Sequence, residues 1–166
     1  MEENVIKIIE SETIKKDLNL IIGLPDTGLV GVISSTHIVT SEKMKEAATL
    51  ESRFFPPMIV IHKGHITSPA RIYARNNLLA LISEITIPVA GIYSISESLS
   101  NWIKSKEPNL VLLLGGIPVP NRMSIDKPKS YAIITDDKTR EIAEKAGIPL
   151  LEEGVMVGPY AILMRE

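Results

Sequence analysis

The residues best spaced for chemistry run from Leu18 to Gly31, Leu-Asn-Leu-Ile-Ile-Gly-Leu-Pro-Asp-Thr-Gly-Leu-Val-Gly. A glycine turn between a buried strand and a helix is where α/β proteins hold phosphates, because backbone N–H groups and the helix dipole both face the anion. Two such loops are approached here and neither is completed. From Gly23 the spacing is that of a P-loop, but Leu29 and Val30 stand where the phosphate lysine and the Mg²⁺ hydroxyl belong. From Asp26 the pattern is D-x-G-x-x-G, with a carboxylate where a dinucleotide turn needs its first glycine. Asp26 therefore reads as a helix N-cap accepting from the N–H of Gly28 or Leu29. Gly28, Gly31, Ser34 and Ser35 would let that helix pack closely on a sheet. An anion or small-ligand turn built from Gly23, Asp26, Thr27 and Gly28 is the alternative reading.

Other chemistry is sparse. No G-x-S-x-G elbow supplies a serine nucleophile, and the chain has no cysteine. His62 and His65 flank a turn at Gly64 and would need Glu51 or Glu84 as a further metal ligand, so they read as exposed turn residues. His37 reads as a partly buried, hydrogen-bonded helix residue. Glu84 ends an apolar strand, where α/β enzymes place acids, although a solvated carboxylate also fits. Arg71 interrupts an apolar strand and reads either as an ion-pair or anion contact or as a solvent-facing residue. A second glycine turn, Gly115-Gly116, closes the apolar run Leu110–Leu114. The candidate ligand-binding set is Gly23, Asp26, Thr27, Gly28, Arg71, Glu84, Gly115 and Gly116. No catalytic residues, metal ligands or cofactor are expected, because no nucleophile has an adjacent base.

The bulk properties exclude several classes. The 166 residues are 45% hydrophobic and 23% charged, an ordinary globular balance that fits one domain spanning the chain. Only 4% are aromatic, so aliphatic side chains must build the core. A net charge of −2 gives no general attraction to nucleic acid or anionic membranes. No apolar run reaches the roughly 18 to 20 residues of a membrane span. The acidic start, Met-Glu-Glu-Asn, lacks a signal-peptide pattern, and the absence of cysteine fits a reducing compartment. A cytoplasmic protein is expected.

Elements that would position these residues follow from periodicity. Val5–Ile9 alternates like an edge strand, and Leu18–Ile22 reads as a buried one, followed by a helix from about Thr27 to Lys43. Short strands are expected at 47–52, 58–62, 70–75 and 78–83, with turns at Phe55-Pro56-Pro57 and Lys63-Gly64-His65. Ser94-Ile95-Ser96-Glu97 fits a capping box, and Ile95, Leu99, Trp102 and Ile103 then share one helix face. Leu110–Leu114 reads as a strand covered on both faces, and Ile117–Lys129, with Pro118, Pro120 and Pro128, as an irregular excursion. Tyr131–Thr135 and Leu150-Leu151 read as strands around a helix beginning at Asp136 and Asp137 and closed by Gly147. Gly158-Pro159 opens a final helical segment. Met123, Met156 and Met164 read as core or interface filler. The fold class expected is a three-layer α/β/α sandwich with a mixed, largely parallel sheet, the two glycine turns meeting at its carboxyl edge.

The ordered set Gly23–Gly31, Phe55-Pro56-Pro57, Gly64, Pro69-Ala70-Arg71-Ile72-Tyr73, Ser83-Glu84, Trp102 and Leu113–Gly116 resembles the proteasome assembly chaperone family. The likeness is to archaeal and bacterial relatives of the second subunit of the eukaryotic chaperone pair, some of them labelled as an ATP-grasp superfamily. It runs from about Val5 to Ile162. It implies a phosphorylase-like α/β sandwich, homo-oligomers and, for some members, binding to proteasome core subunits. Members that dock on the core particle end in hydrophobic-Tyr-any, whereas this chain ends Leu163-Met164-Arg165-Glu166. Members also usually continue past the Gly-Pro segment into further helices, so a short or truncated member is expected, and tail-mediated docking is not expected of this polypeptide. The function expected is a non-catalytic oligomeric binding protein, its partners being itself and proteasome core subunits rather than nucleic acid or membrane. The alternative is a small-ligand or nucleotide/nucleoside enzyme using the glycine turns. Phe54–Ile61 and Val155–Met164 are the expected contact surfaces.

Overall fold

A computed structural model describes residues 6–62, 64–119 and 122–166. Val5, Lys63 and Pro120 of the segments named above lie outside these. The described strands are β1 (Ile6–Glu10), β2 (Asn19–Gly23), β3 (Lys45–Ser52), β4 (Val60–His62), β5 (His65–Thr67), β6 (Ala70–Arg75), β7 (Leu78–Ser83) and β8 (Leu110–Leu114). The helices are α1 (Val30–Ser41), α2 (Ile92–Lys106), α3 (Asp137–Lys145) and α4 (Pro159–Arg165).

Six strands form one mixed sheet in the order β1-β3-β6-β7-β2-β8, and β4 and β5 form a separate hairpin. The α/β architecture is the one the sequence implies, but the balance of pairings differs from a largely parallel sheet. β1–β3, β3–β6 and β6–β7 are antiparallel, while only β7–β2 and β2–β8 are parallel. The cause lies in the connections. β6 and β7 are joined by Asn76-Asn77 alone, too short for a crossover, which needs about a dozen residues or more, and the link from β3 to β6 carries the β4–β5 hairpin rather than a helix. The expected strands at Tyr131–Thr135 and Leu150-Leu151 are also reduced, to one isolated bridge between Ala132 and Leu150.

Helices cover both faces. Leu20, Ile22, Leu50, Ile72, Leu79 and Leu81 point to one face and share a core with Ile95, Leu99 and Ile103 of α2 and Tyr160 of α4. On the other face α1 lies against β2, β7 and β8. Trp102 packs half-buried against the core, and its indole N–H donates to Glu10 at 3.4 Å. Glu10 also accepts from Lys106 Nζ at 2.6 Å and from Ile14 N at 3.1 Å. Burial pushes the Glu10 carboxyl up, but these bonds more than offset it and hold it below its usual range.

Two helix starts depart from the sequence reading. The first helix opens with a 3-10 turn, Thr27–Leu29, before α1. α2 begins at Ile92 behind a 3-10 turn, Val89–Gly91, so Ser94 lies inside it and forms no capping box; Pro88 sets that turn and Gly91 is the cap. Asp136, by contrast, caps α3 as expected, accepting from Thr139 N at 2.7 Å. Gly147 ends α3 in the left-handed region, φ 66°. His37 is exposed on α1, 3.4 Å from Ser41 Oγ, because α1 turns only its Gly31–Ser35 side to the sheet. Met123 is 99% exposed rather than core filler. Among the described residues no helix is long and apolar enough to cross a membrane.

Candidate functional site

The two glycine turns do meet. β2 and β8 run parallel with Gly23 opposite Leu114, so the turns that follow leave the same edge side by side. Gly28 (φ 71°) and Leu29 (φ 56°) are both left-handed, which swings the chain into α1. Leu29 is the unusual one, a bulky residue in a conformation that favours glycine.

Close approach explains the other glycines. A Cβ on Gly31 would strike the Leu114 carbonyl, one on Gly23 would strike Ser35, and one on Gly116 would strike the Thr27 carbonyl. Ser35 is completely buried for the same reason. Gly31 therefore lets α1 sit against the sheet, as the spacing suggested. Gly28 does not: its Cβ would meet only Val30 Cγ2 at 3.8 Å, and it serves the turn through its φ.

Asp26 has a different role from the cap expected of it. Its Oδ2 accepts from Gly116 N at 2.5 Å and its Oδ1 from Gly31 N at 3.5 Å, with no side-chain bond to Gly28 or Leu29. The left-handed pair Gly28-Leu29 carries those N–H groups away, so the carboxylate ties the two turns together instead.

Tyr160 completes the knot, and the sequence reading missed it. Its hydroxyl accepts from Leu24 N at 2.7 Å and donates to Leu114 O at 2.6 Å, bridging the ends of β2 and β8 from α4. Burial pushes its pKa up to about 12, with the Asp26 charge adding to the rise against the Leu24 bond. The available signal was a tyrosine just inside a Gly-Pro helix start in a chain with four tyrosines. Chemically the edge is already filled. The N–H groups of Leu24, Gly31 and Gly116 in and beside the glycine turns are held by Tyr160 and Asp26.

Arg71 and Glu84 lie apart from this knot. Arg71 on β6 is opposite Ile82 of β7, which is in turn opposite Gly23, so one strand separates them from the glycine turns. Arg71 is 4% exposed and its Nη2 pairs with Glu84 Oε1. The Tyr73 ring lies 5.9 Å from the guanidinium carbon, and burial raises the Tyr73 pKa. Of the expected ligand set, Gly23, Asp26, Thr27, Gly28, Gly115 and Gly116 thus come together, and Arg71 and Glu84 form a second group.

His62 and His65 are paired across the β4–β5 hairpin and exposed. Among the described residues no three His, Asp or Glu side chains stand close enough to hold a metal ion. The hairpin is also conspicuously apolar on the outside: Ile61 and Ile66 face each other at 70% and 71% exposure.

Such a mixed sheet with a glycine-sealed carboxyl edge defines an α/β family, and comparison identifies it. Residues 20–166 match the model of the PAC2 family, and the chain belongs to that family. It is 31% identical over 113 residues to MJ0106, an uncharacterised protein of Methanocaldococcus jannaschii; these are 68% of this chain but 48% of that protein, so it spans about half the relative's length. Among solved structures it resembles Pyrococcus furiosus PbaA, an archaeal homologue of proteasome-assembly chaperone, with a TM-score of 0.86 and 24% identity over 96% of this chain and 69% of that one. It also resembles PbaB, an archaeal proteasome activator of the same organism, with a TM-score of 0.79 and 20% identity over 97% of this chain and 74% of that one. At these identities the structural likeness establishes the fold.

Proposed function

We propose that this protein is a non-catalytic binding factor of the proteasome-assembly kind, which self-associates and acts by protein–protein contact. The observation that carries the reading is the contrast at the sheet's carboxyl edge. The turns that would seat a nucleotide are filled by Asp26 and Tyr160, while large apolar side chains on the hairpin and on the loops before α2 and α4 face solvent. Ile59, Ile61, Ile66, Val89, Val155 and Val157 are between 60% and 92% exposed. Large exposed apolar areas on a folded protein mark interaction surfaces. An isolated two-stranded hairpin is also marginal by itself and gains from a partner.

Family membership and the likeness to PbaA and PbaB favour proteasome core subunits as the partner class and the cytoplasm as its place. In this reading the exposed β4–β5 hairpin is the contact surface. The test is capture of purified core-particle subunits on the immobilised protein, with Ile61→Asp/Ile66→Asp as control. Capture lost in the double variant supports the proposal, and equal capture by both proteins contradicts it. The enzyme alternative predicts phosphate release from ATP above background, lost on Asp26→Ala. With the N–H groups of Leu24, Gly31 and Gly116 occupied and no phosphate lysine after Gly28, we expect none.

A further inference from the structure

α1 is packed inside out. A surface helix ordinarily turns its apolar stripe to the core and its polar face to water. Here the only buried residues are the small Gly31 and Ser35, while Val30 and Ile33 point outward, Ile33 at 62% exposure. Close approach to the sheet explains the small inner residues but not the large outer ones. Leu29, at the head of the helix, is 51% exposed and holds a left-handed conformation that glycine or asparagine adopts with less strain. The turn alone gives no reason for a leucine there, and such an outlier points to a task beyond folding. The patch continues onto the second glycine turn. A Cβ on Gly116 would lie 3.0 Å from Val30 Cγ2, and the next residue, Ile117, is 50% exposed.

Charge says what covers this face. From Thr27 to Ser41 the sequence holds no Asp, Glu, Lys or Arg, although 23% of the chain is charged. The exposed side of α3, by contrast, carries Lys138, Arg140, Glu141 and Lys145. A face that meets a different protein is free to use charges answered by opposite ones. At a two-fold axis each residue meets its own copy, so any charge there meets its like. An apolar face without charge satisfies that constraint.

We propose that the outer face of α1, Leu29, Val30 and Ile33 together with Ile117, is a contact by which two copies of this chain pair about a two-fold axis. Ile33 lies nearest the axis, because it is in the middle of the exposed face, between Val30 at i−3 and His37 at i+4. The inference rests on the reading that the protein self-associates, and it adds a second contact to the hairpin. With both contacts the wild-type assembly exceeds two chains, and a chain disabled at the hairpin still pairs.

The test is sedimentation equilibrium of Ile61→Asp/Ile66→Asp, alone and carrying in addition Ile33→Lys, Ile33→Asp or Leu29→Asn. The hairpin variant should be a dimer at micromolar concentration. Ile33→Lys and Ile33→Asp should each weaken its pairing at least tenfold, since like charges then meet at the axis. An equimolar mixture of the two should pair again, as opposite charges meet. Leu29→Asn should weaken pairing at least threefold without lowering the urea midpoint at dilution, because asparagine suits the left-handed turn. A hairpin variant that is already monomeric overturns this inference and leaves self-association through the hairpin standing. A dimer indifferent to Ile33→Lys also overturns it, as does a mixture that fails to pair. A wild-type assembly broken by Ile33→Lys but left whole by the hairpin variant supports the α1 contact and removes the hairpin from self-association.

Discussion

The two ends of β2 and β7 sit in one sheet, yet the packing on the α2 face and the packing around the hairpin follow opposite rules. Under α2, Ile22 and Ile72 are completely buried and Leu20, Leu81 and Leu99 nearly so. Full burial of each such side chain stabilises the fold by about 1.5 to 3 kcal/mol. On the hairpin, Ile61 and Ile66 contribute almost none of this, because about 70% of each is in water. The same residue type is thus spent on stability in one region and left available in the other. Regions with few buried contacts and unshared strand edges are the ones that open or bind.

Substitutions should separate these regions sharply. The largest effect belongs to Gly31→Val, where the new side chain meets the Leu114 carbonyl and Tyr160 rather than flexible atoms. We expect a loss of about 3 kcal/mol, at the upper end of overpacking, read as a lowered midpoint in urea. An unchanged midpoint would break the close-packing account of the edge.

Tyr160→Phe comes next. It leaves Leu24 N and Leu114 O without their hydroxyl and should cost about 2 kcal/mol. This loss has a pH signature. The Tyr160 pKa in the folded state is about 12, above the ordinary value of 10, so its contribution is complete below pH 10 and is lost as pH rises through about 12. The stability gap between wild type and Tyr160→Phe should narrow across that window. A gap independent of pH would remove Tyr160 from the knot.

Glu10→Gln should have a smaller effect, about 1 kcal/mol, by weakening the bonds from Lys106, Trp102 and Ile14. The sign with pH is the reverse. A lowered carboxyl pKa contributes above its ordinary value of 4.5 and loses that contribution as pH falls through the folded value. Acid titration of the two proteins should therefore converge below pH 4.5.

These regions were unequally legible in the sequence. The buried strands, the Ile95–Leu99–Ile103 face, the Asp136 cap and the meeting of the glycine turns follow from local periodicity and turn chemistry. What local reasoning could not reach is non-local. Asp26 reads as a cap because its nearest N–H groups lie within three residues; its shortest bond comes from Gly116, 90 residues away, and the other from Gly31. Tyr160 bonds to Leu24 across 136 residues, with no spacing rule to announce it. The antiparallel majority in the sheet was hidden because short strands in the first half and βα alternation in the second suggest different topologies. Arg71 was flagged by its polarity in an apolar strand, but only the structure pairs it with Glu84.

The smallest expected effect on stability carries the most weight for function. Ile61→Asp/Ile66→Asp should change the urea midpoint by no more than about 0.5 kcal/mol per site, as at other exposed positions. Multi-angle light scattering at micromolar concentration then tests the central claim directly. The wild type should give a multiple of 18.2 kDa, and the double variant a mass shifted toward 18.2 kDa. A wild-type mass of 18.2 kDa, or a double variant with the wild-type assembly intact, would contradict the account.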